Sequence, residues 1–410
     1  MPVEFPSALL DDKRRSSPRP TVWLALLVLF VAVGAGWTLL SWPEGQPTGV
    51  PWFWMRLLGY PMLAWAALFG IRLHFHEERG NRRQALHEVR QIDRQEAIAF
   101  GAEPLAVLGA VHVSAMGDSG AAARIVKHES VLQARTLTPR MPPIRHARLA
   151  FAAEQPVDRY RQAFQTLLAA IEAPLRALPI DVRCEVRLQL PADAEPERLL
   201  GVWKSCWRDS GLRPTEAALA PTETGLMALD EWLDAYGGQA LEKFALFVAV
   251  QLHASPPPDS GEVAVAMLLG WAPLAERRDL TPIAMLHRPV ACETDGLAGA
   301  LETATLFGRS KPEEIHHLWH SGLSKADNVA LLKSASAAAL GAVQADGLTG
   351  VHDIDAALGR QGDAAAWSAA ALAIDHVKHS NVAQLMACRE HGLRVAVLAP
   401  VADRREPEKT

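Results

Sequence analysis

Residues 21–42 run for 22 positions without a charged side chain, and an uncharged stretch of that length leaves few structures open. At 1.5 Å per residue it makes a helix of about 33 Å, enough to cross a hydrocarbon layer of roughly 30 Å. The bilayer core offers the backbone no hydrogen-bond partner, so such a span must be helical. A second apolar stretch, 52–73, carries Arg56 and Arg72 near its ends, where long side chains reach back to the interface. Trp23, Trp37, Trp42, Trp52 and Trp54 gather at the ends of the two stretches, as interfacial aromatic belts do.

A cleaved secretory leader has a shorter apolar core and no second span close behind it. The reading is therefore a retained hairpin. Lys13, Arg14, Arg15 and Arg19 precede the first span, Arg72, Arg79, Arg82 and Arg83 follow the second, and the loop between them has only Glu44. Basic flanks mark the cytoplasmic side, so the expectation is a two-pass protein of the bacterial inner membrane with both termini and the following domain in the cytoplasm. Two buried core helices of a soluble protein would need neither that length nor that flanking charge. The chain divides into a cytoplasmic tail (1–20), the transmembrane hairpin (21–73), a charged linker (74–103), an α/β domain (104–400) and a polar tail (401–410).

The domain reads as a layered α/β structure of two related halves. Residues 107–113, 182–190, 244–252, 263–269 and 395–398 are strand-like, and the apolar run at 244–252 suits a central strand covered on both faces. Helical spacing at 160–178 and 224–236 alternates with them. Between the first strand and the first helix, 136–156 holds Pro139, Pro142, Pro143 and Pro156 and reads as a loop-rich insertion.

Several functions find no support. The net charge of −5, from 41 basic and 46 acidic residues, gives no global field to attract nucleic acid. Cys184, Cys206, Cys292 and Cys388 lie far apart, without zinc-ligand spacing. Nothing approaches a P-loop or a GxGxxG turn, and no cofactor is expected. His316 and His320 on one helix face, and Glu313 and His317 on another, invite a metal reading, but the set lacks a distant third ligand; His376 and His379, three apart, could complete it only through folding. Cys292 could pass for a nucleophile, although Glu293 and Asp295 beside it raise a thiol's pKa.

The stretch 107–117, an apolar strand entering a small-residue turn, resembles the first strand of β-ketoacyl synthases, members of the thiolase-like fold. Further motifs follow in order. That family places its nucleophilic cysteine in a Cys-Ala-Ser-Gly type turn; the matching stretch here begins Thr222-Glu223-Thr224-Gly225. Its first histidine lies in a His-Gly-Thr-Gly-Thr turn, matched by His320-Ser321-Gly322-Leu323-Ser324. Its second follows Lys-Ser-x-x-Gly, where this chain has Asp355 for the lysine and Arg360 for the histidine. A threonine hydroxyl stays protonated without a strong base, and Thr222 suits an N-cap. Arginine, charged at any working pH, cannot shuttle a proton. The resemblance thus implies a thiolase-like domain whose catalytic set is degenerate at Thr222, His320, Arg360 and Asp355.

A two-span cytoplasm-facing anchor joined to such a domain also resembles the type VI secretion lipase-adaptor family. That resemblance implies a non-catalytic adaptor, with a secreted effector and the secretion spike as partners. The insertion supplies Arg140, Arg145 and Arg148 as candidate protein-binding residues, since prolines pre-order the loop and lower the entropy lost on binding. The rival reading is an acyl-transferring or lipid-metabolism enzyme at the inner membrane, with Thr222 or Cys292 as nucleophile and His320 as base. A third is a structural membrane component that recruits partners through the hairpin.

Overall fold

A computed structural model describes residues 20–136, 143–221, 223–235 and 237–401. They form two compact units, divided near residue 97.

In the first unit, Pro20–Ser41 is one helix. Pro51 opens the return at N1, where its missing N–H costs nothing, and a π-helical turn at Met55–Gly59 leads into Tyr60–Gly101. The two helices touch closely enough that a Cβ on Gly34 would lie 2.1 Å from Pro61 Cγ, and the Trp65 indole N–H donates to the Trp23 carbonyl at 2.9 Å. Leu24, Val33 and Leu63 are 66%, 64% and 59% exposed, the reverse of a core helix. These are two helices long and apolar enough to cross a membrane. Helical structure continues without a break through the charged stretch to Gly101.

The second unit repeats one five-strand plan twice. In the first half the strands are, in chain order, Leu105–Ser114, Cys184–Gln189, Glu216–Leu219, Phe244–Gln251 and Val263–Trp271. In the second they are Ala284–Leu286, Leu318–Ser321, Val351–Asp353, Gln384–Arg389 and Leu393–Ala399. Both halves place them in the order third, second, fourth, fifth, first. In both, the second strand is parallel to the third and fourth, and the fifth is antiparallel to its neighbours. The arrays join where Leu105, Ala106 and Val107 pair with Leu286, Met285 and Ala284.

Alternation along the strands explains the layering. Phe244, Leu246, Val248 and Val250 face an outer core under the helices Pro156–Arg176 and Pro196–Asp209. Ala245, Phe247 and Ala249 face a central core shared by both halves. The helix Ala365–Ser380 fills that centre, packing on strands of both arrays. Ala366, Ala369, Ala370 and Ala373 are fully buried in it, and such small side chains allow sheets to approach on two sides. A third core lies under Leu297–Phe307 and Lys325–Ala337.

The helix expected over 224–236 is shorter: a 3-10 turn at Gly225–Met227 followed by Ala228–Leu233. The helical reading of 313–320 is corrected, because Pro312 starts a single 3-10 turn and Leu318–Ser321 is a strand. His316 and His320 therefore share no helix face.

Candidate functional site

The carboxyl ends of the parallel strands are where open α/β sheets build sites, and here each half sends a turn onto the other. From the second half, the turn after Gly359 reaches the first: the Gln189 side-chain amide donates to the Asp363 carbonyl at 2.8 Å, and the Trp367 indole N–H donates to Gln189 Oε1 at 2.6 Å. From the first half, the turn at 223–226 reaches the tip of the hairpin between Gln384–Arg389 and Leu393–Ala399. There the Leu226 N–H donates to the Glu390 carboxylate, 3.0 Å from Oε2. Gly225, at φ +48°, lies so close that a Cβ would fall 2.2 Å from that oxygen; only glycine suits both the conformation and the contact. Burial raises the pKa of Glu390, with the Leu226 hydrogen bond and Arg394 opposing.

His320 ends the apolar part of Leu318–Ser321 and is 4% exposed. Burial lowers its pKa, while Asp353 and Asp355 pull the other way. Asp355, in the first turn of Ile354–Leu358, accepts the Ser321 hydroxyl at 2.6 Å and the Gly322 N–H at 2.8 Å. Its pKa is raised by burial. The carboxylate thus ties down the turn that follows His320. Asp327 caps the next helix through a reciprocal capping box with Ser324 and accepts from Arg389 Nε and Nη2, each at 2.7 Å; the Arg389 guanidinium holds its carboxyl far below the usual range.

Arg360 is exposed. Its backbone N–H donates to the Asp259 carbonyl and its own carbonyl accepts the Gly261 N–H, each at 2.8 Å. The Asp259 carboxylate lies 3.5 Å from Arg145 Nε. Arg145, on the Ile144–Ala147 strand, and Arg360 therefore meet at one surface strip, a junction that reading the loop and the motif separately does not reveal. Arg148 lines a cavity of about 800 Å³ with Glu154, Asp193 and Tyr160, between the first turns of Pro156–Arg176 and Pro196–Asp209. Thr222 and Arg140 lie outside the described residues.

Solved ketosynthases share this architecture. The ketosynthase from module 1 of the bacillaene synthase of Bacillus amyloliquefaciens FZB42 superposes with a TM-score of 0.55 at 14% identity, over 75% of each chain. An oxazolomycin ketosynthase domain of Streptomyces albus JA3453 gives 0.51 at 14% identity, over 75% of this chain and 98% of that one. A type II polyketide ketosynthase in complex with its acyl-carrier protein gives 0.54 at 12%, over 73% of this chain and 100% of that one. The domain has the thiolase-like ketosynthase fold. No protein-family model matches the chain, and no curated protein matches it by sequence.

Within the thiolase-like fold, the duplication suspected in the sequence is the repeated strand order. His320 and Asp355 are brought together, and Arg360 lies on the rim. Cys292 ends the Val290–Cys292 strand, paired with Leu393; burial raises its thiol pKa, so it is held as the weakly nucleophilic thiol. Glu390 went unnoticed in the sequence. Its signal was available: Glu390-His391-Gly392 separates two apolar runs, as a hairpin turn does. Among the described residues, no group of three or more His, Cys, Asp or Glu side chains is arranged to hold a metal ion.

Proposed function

We propose that the protein is a non-catalytic, membrane-anchored adaptor that binds a type VI secretion effector, a lipase or another toxin, in the cytoplasm and passes it to the secretion spike. The observation that carries the non-catalytic part is the Glu390 carboxylate on the Leu226 N–H. A ketosynthase needs this region to accept negative charge developing on a thioester oxygen, and a carboxyl that already occupies the Leu226 N–H takes that donor away. Arg360 in place of an imidazole removes the proton acceptor as well. Groups that act as a unit lose their value together, so His320 alone sustains no condensation.

The adaptor part draws on the pairing of two span-length helices with this fold, which resembles the secretion-adaptor family, and on the exposed Arg145 and Arg360 strip. The basic flanks of the helices place the domain on the cytoplasmic side of the inner membrane in this reading. Affinity purification of the full chain from its native cell, with cross-linking and mass spectrometry, tests it. A toxin and a spike protein are expected in the eluate. Turnover of acyl or malonyl thioesters by the purified protein would replace this reading with the enzymatic one.

A further inference from the structure

Three imidazoles meet at the outer edge of the second half, away from the Glu390 turn. His317 immediately precedes Leu318–Ser321, His352 is the middle residue of the edge strand Val351–Asp353, and His376 lies in the last turns of Ala365–Ser380. His317 Nδ1 and His352 Nε2 are 2.9 Å apart. The ring centres are separated by 4.3 Å for His317 and His376, 5.2 Å for His317 and His352, and 6.5 Å for His352 and His376. Trp319 covers the group, 4.4 Å from the His352 ring.

The hydrogen bonding sets the protonation state. A contact between two ring nitrogens needs one proton and one lone pair, so it fails when both rings are charged. The Trp319 indole N–H donates to Gln384 Oε1, which turns the Gln384 NH₂ group toward His376 Nδ1. That nitrogen must then accept, and the ring's proton sits on Nε2. The same tautomer denies His376 an Nε2 lone pair for a metal, so the cluster handles protons and not metal ions. A proton added at Nδ1 would force the Gln384 amide to flip and break its bond to Trp319. Charged or titratable neighbours are mainly further histidines: His316 beside His317, His128 and His320 beside His352, and His379 with Asp375 beside His376.

The edge strand has a single ladder partner, Leu318–Ser321, through three paired positions. It runs directly into Ile354–Leu358, which carries the Asp355 carboxylate bound to Ser321 and Gly322. We infer that His317, His352 and His376 form a proton-operated clasp that keeps the Val351–Asp353 edge, and with it the Asp355 contact beside His320, closed at neutral pH and releases it on acidification. Burial supports this by holding His317 down to about 4 and His352 down to about 3 from an ordinary 6.5. The opened state binds protons first, so opening becomes easier as pH falls below about 6.5. At pH 5.5 the gain is about tenfold per histidine, or about a hundredfold for His317 and His352 together. Asp355, raised by burial, gives a slope of the opposite sign, so the direction of the response identifies the histidines.

Hydrogen–deuterium exchange of the full chain in dodecyl maltoside micelles, at pH 7.5 and 5.5 and corrected for intrinsic rates, tests the clasp. Amides at 351–358 should lose about a hundredfold in protection, while those of Phe244–Gln251 keep theirs. His352→Gln and His317→Gln should each remove about a tenfold share of the response. Equal protection of 351–358 at the two pH values overturns the inference, and that wild-type comparison stands even if a variant fails to fold. So does a response of unchanged size in both variants.

Discussion

Glu390 accepts the Leu226 N–H at 3.0 Å, so the two halves of the domain are joined at their shared site by a carboxylate that belongs to the protein itself. Glu390→Ala leaves a part-buried N–H unpaired and should cost about 1–3 kcal/mol. Because burial raises the Glu390 pKa, its ionised form is the strained one: the cost of this group grows as pH rises through its folded value. Glu390→Gln keeps an acceptor without the charge. Thermal melts at pH 4.5, the carboxyl's ordinary value, and at pH 8 should therefore show the glutamine variant gaining on wild type at the higher pH; a gain at the lower pH contradicts the sign.

Restoring the nucleophile alone should not restore a reaction. Thr222→Cys, tested with malonyl and acyl thioesters, is expected to stay inactive because Arg360 and Asp355 remain in place of the family's histidine and lysine. Detectable condensation by this single variant would overturn the non-catalytic reading.

The Arg145 strip makes a separate expectation. Replacing Arg140, Arg145 and Arg148 together with glutamate reverses the charge these residues contribute and should weaken an acidic client at least tenfold at low salt, with less effect at high salt. Recovery of the client at wild-type yield would move the interface off this strip.

Arg159 and Glu262 form a buried pair, with Nη2 to Oε2 at 2.6 Å and side chains 4% and 0% exposed. Glu262 also accepts the backbone N–H groups of Leu149 and His253, which together with Arg159 hold its pKa low despite burial. A depressed carboxyl contributes stability above its unfolded value and loses it as pH falls through the folded one. Arg159→Met should cost about 3–5 kcal/mol at pH 7 by leaving a buried charge unpaired, and adding Glu262→Gln should recover part of it. An additive double variant in denaturant melts would argue against the coupling.

An alkaline phosphatase fusion after Thr410 should be inactive, as a cytoplasmic enzyme is, if the basic flanks orient the hairpin. Activity at that end reverses the topology.

Where chemistry and periodicity agreed, the sequence was readable. Phe244–Gln251 and Val263–Trp271 are apolar on both faces because each is covered on both. The span-length helices announce themselves by the same logic. Failures came where local pattern was ambiguous: Glu313 to His320 has residues at helical spacing, yet Pro312 and the need of Leu318 for a parallel neighbour decide for a turn and a strand. Glu390 and the Arg145–Asp259–Arg360 junction depend on residues 164 and more than 200 positions away in the chain, and no local window contains such a pairing. His376, which only folding could bring to the other histidines, does reach His317, with ring centres 4.3 Å apart.

The alanine-rich helix at Ala365–Ser380 has a consequence in time. It is the common filling of both halves, yet it follows every strand of the first array in the chain and is made after all of them. Until it arrives, the inner face of the first array, with Phe247, Val265 and Met267, lacks much of its cover, including the Trp367 ring that stacks on Phe247 at 4.7 Å. The nascent domain must therefore wait with part of an apolar surface open. Chains caught in that interval are the ones whose open sheet faces can associate with one another.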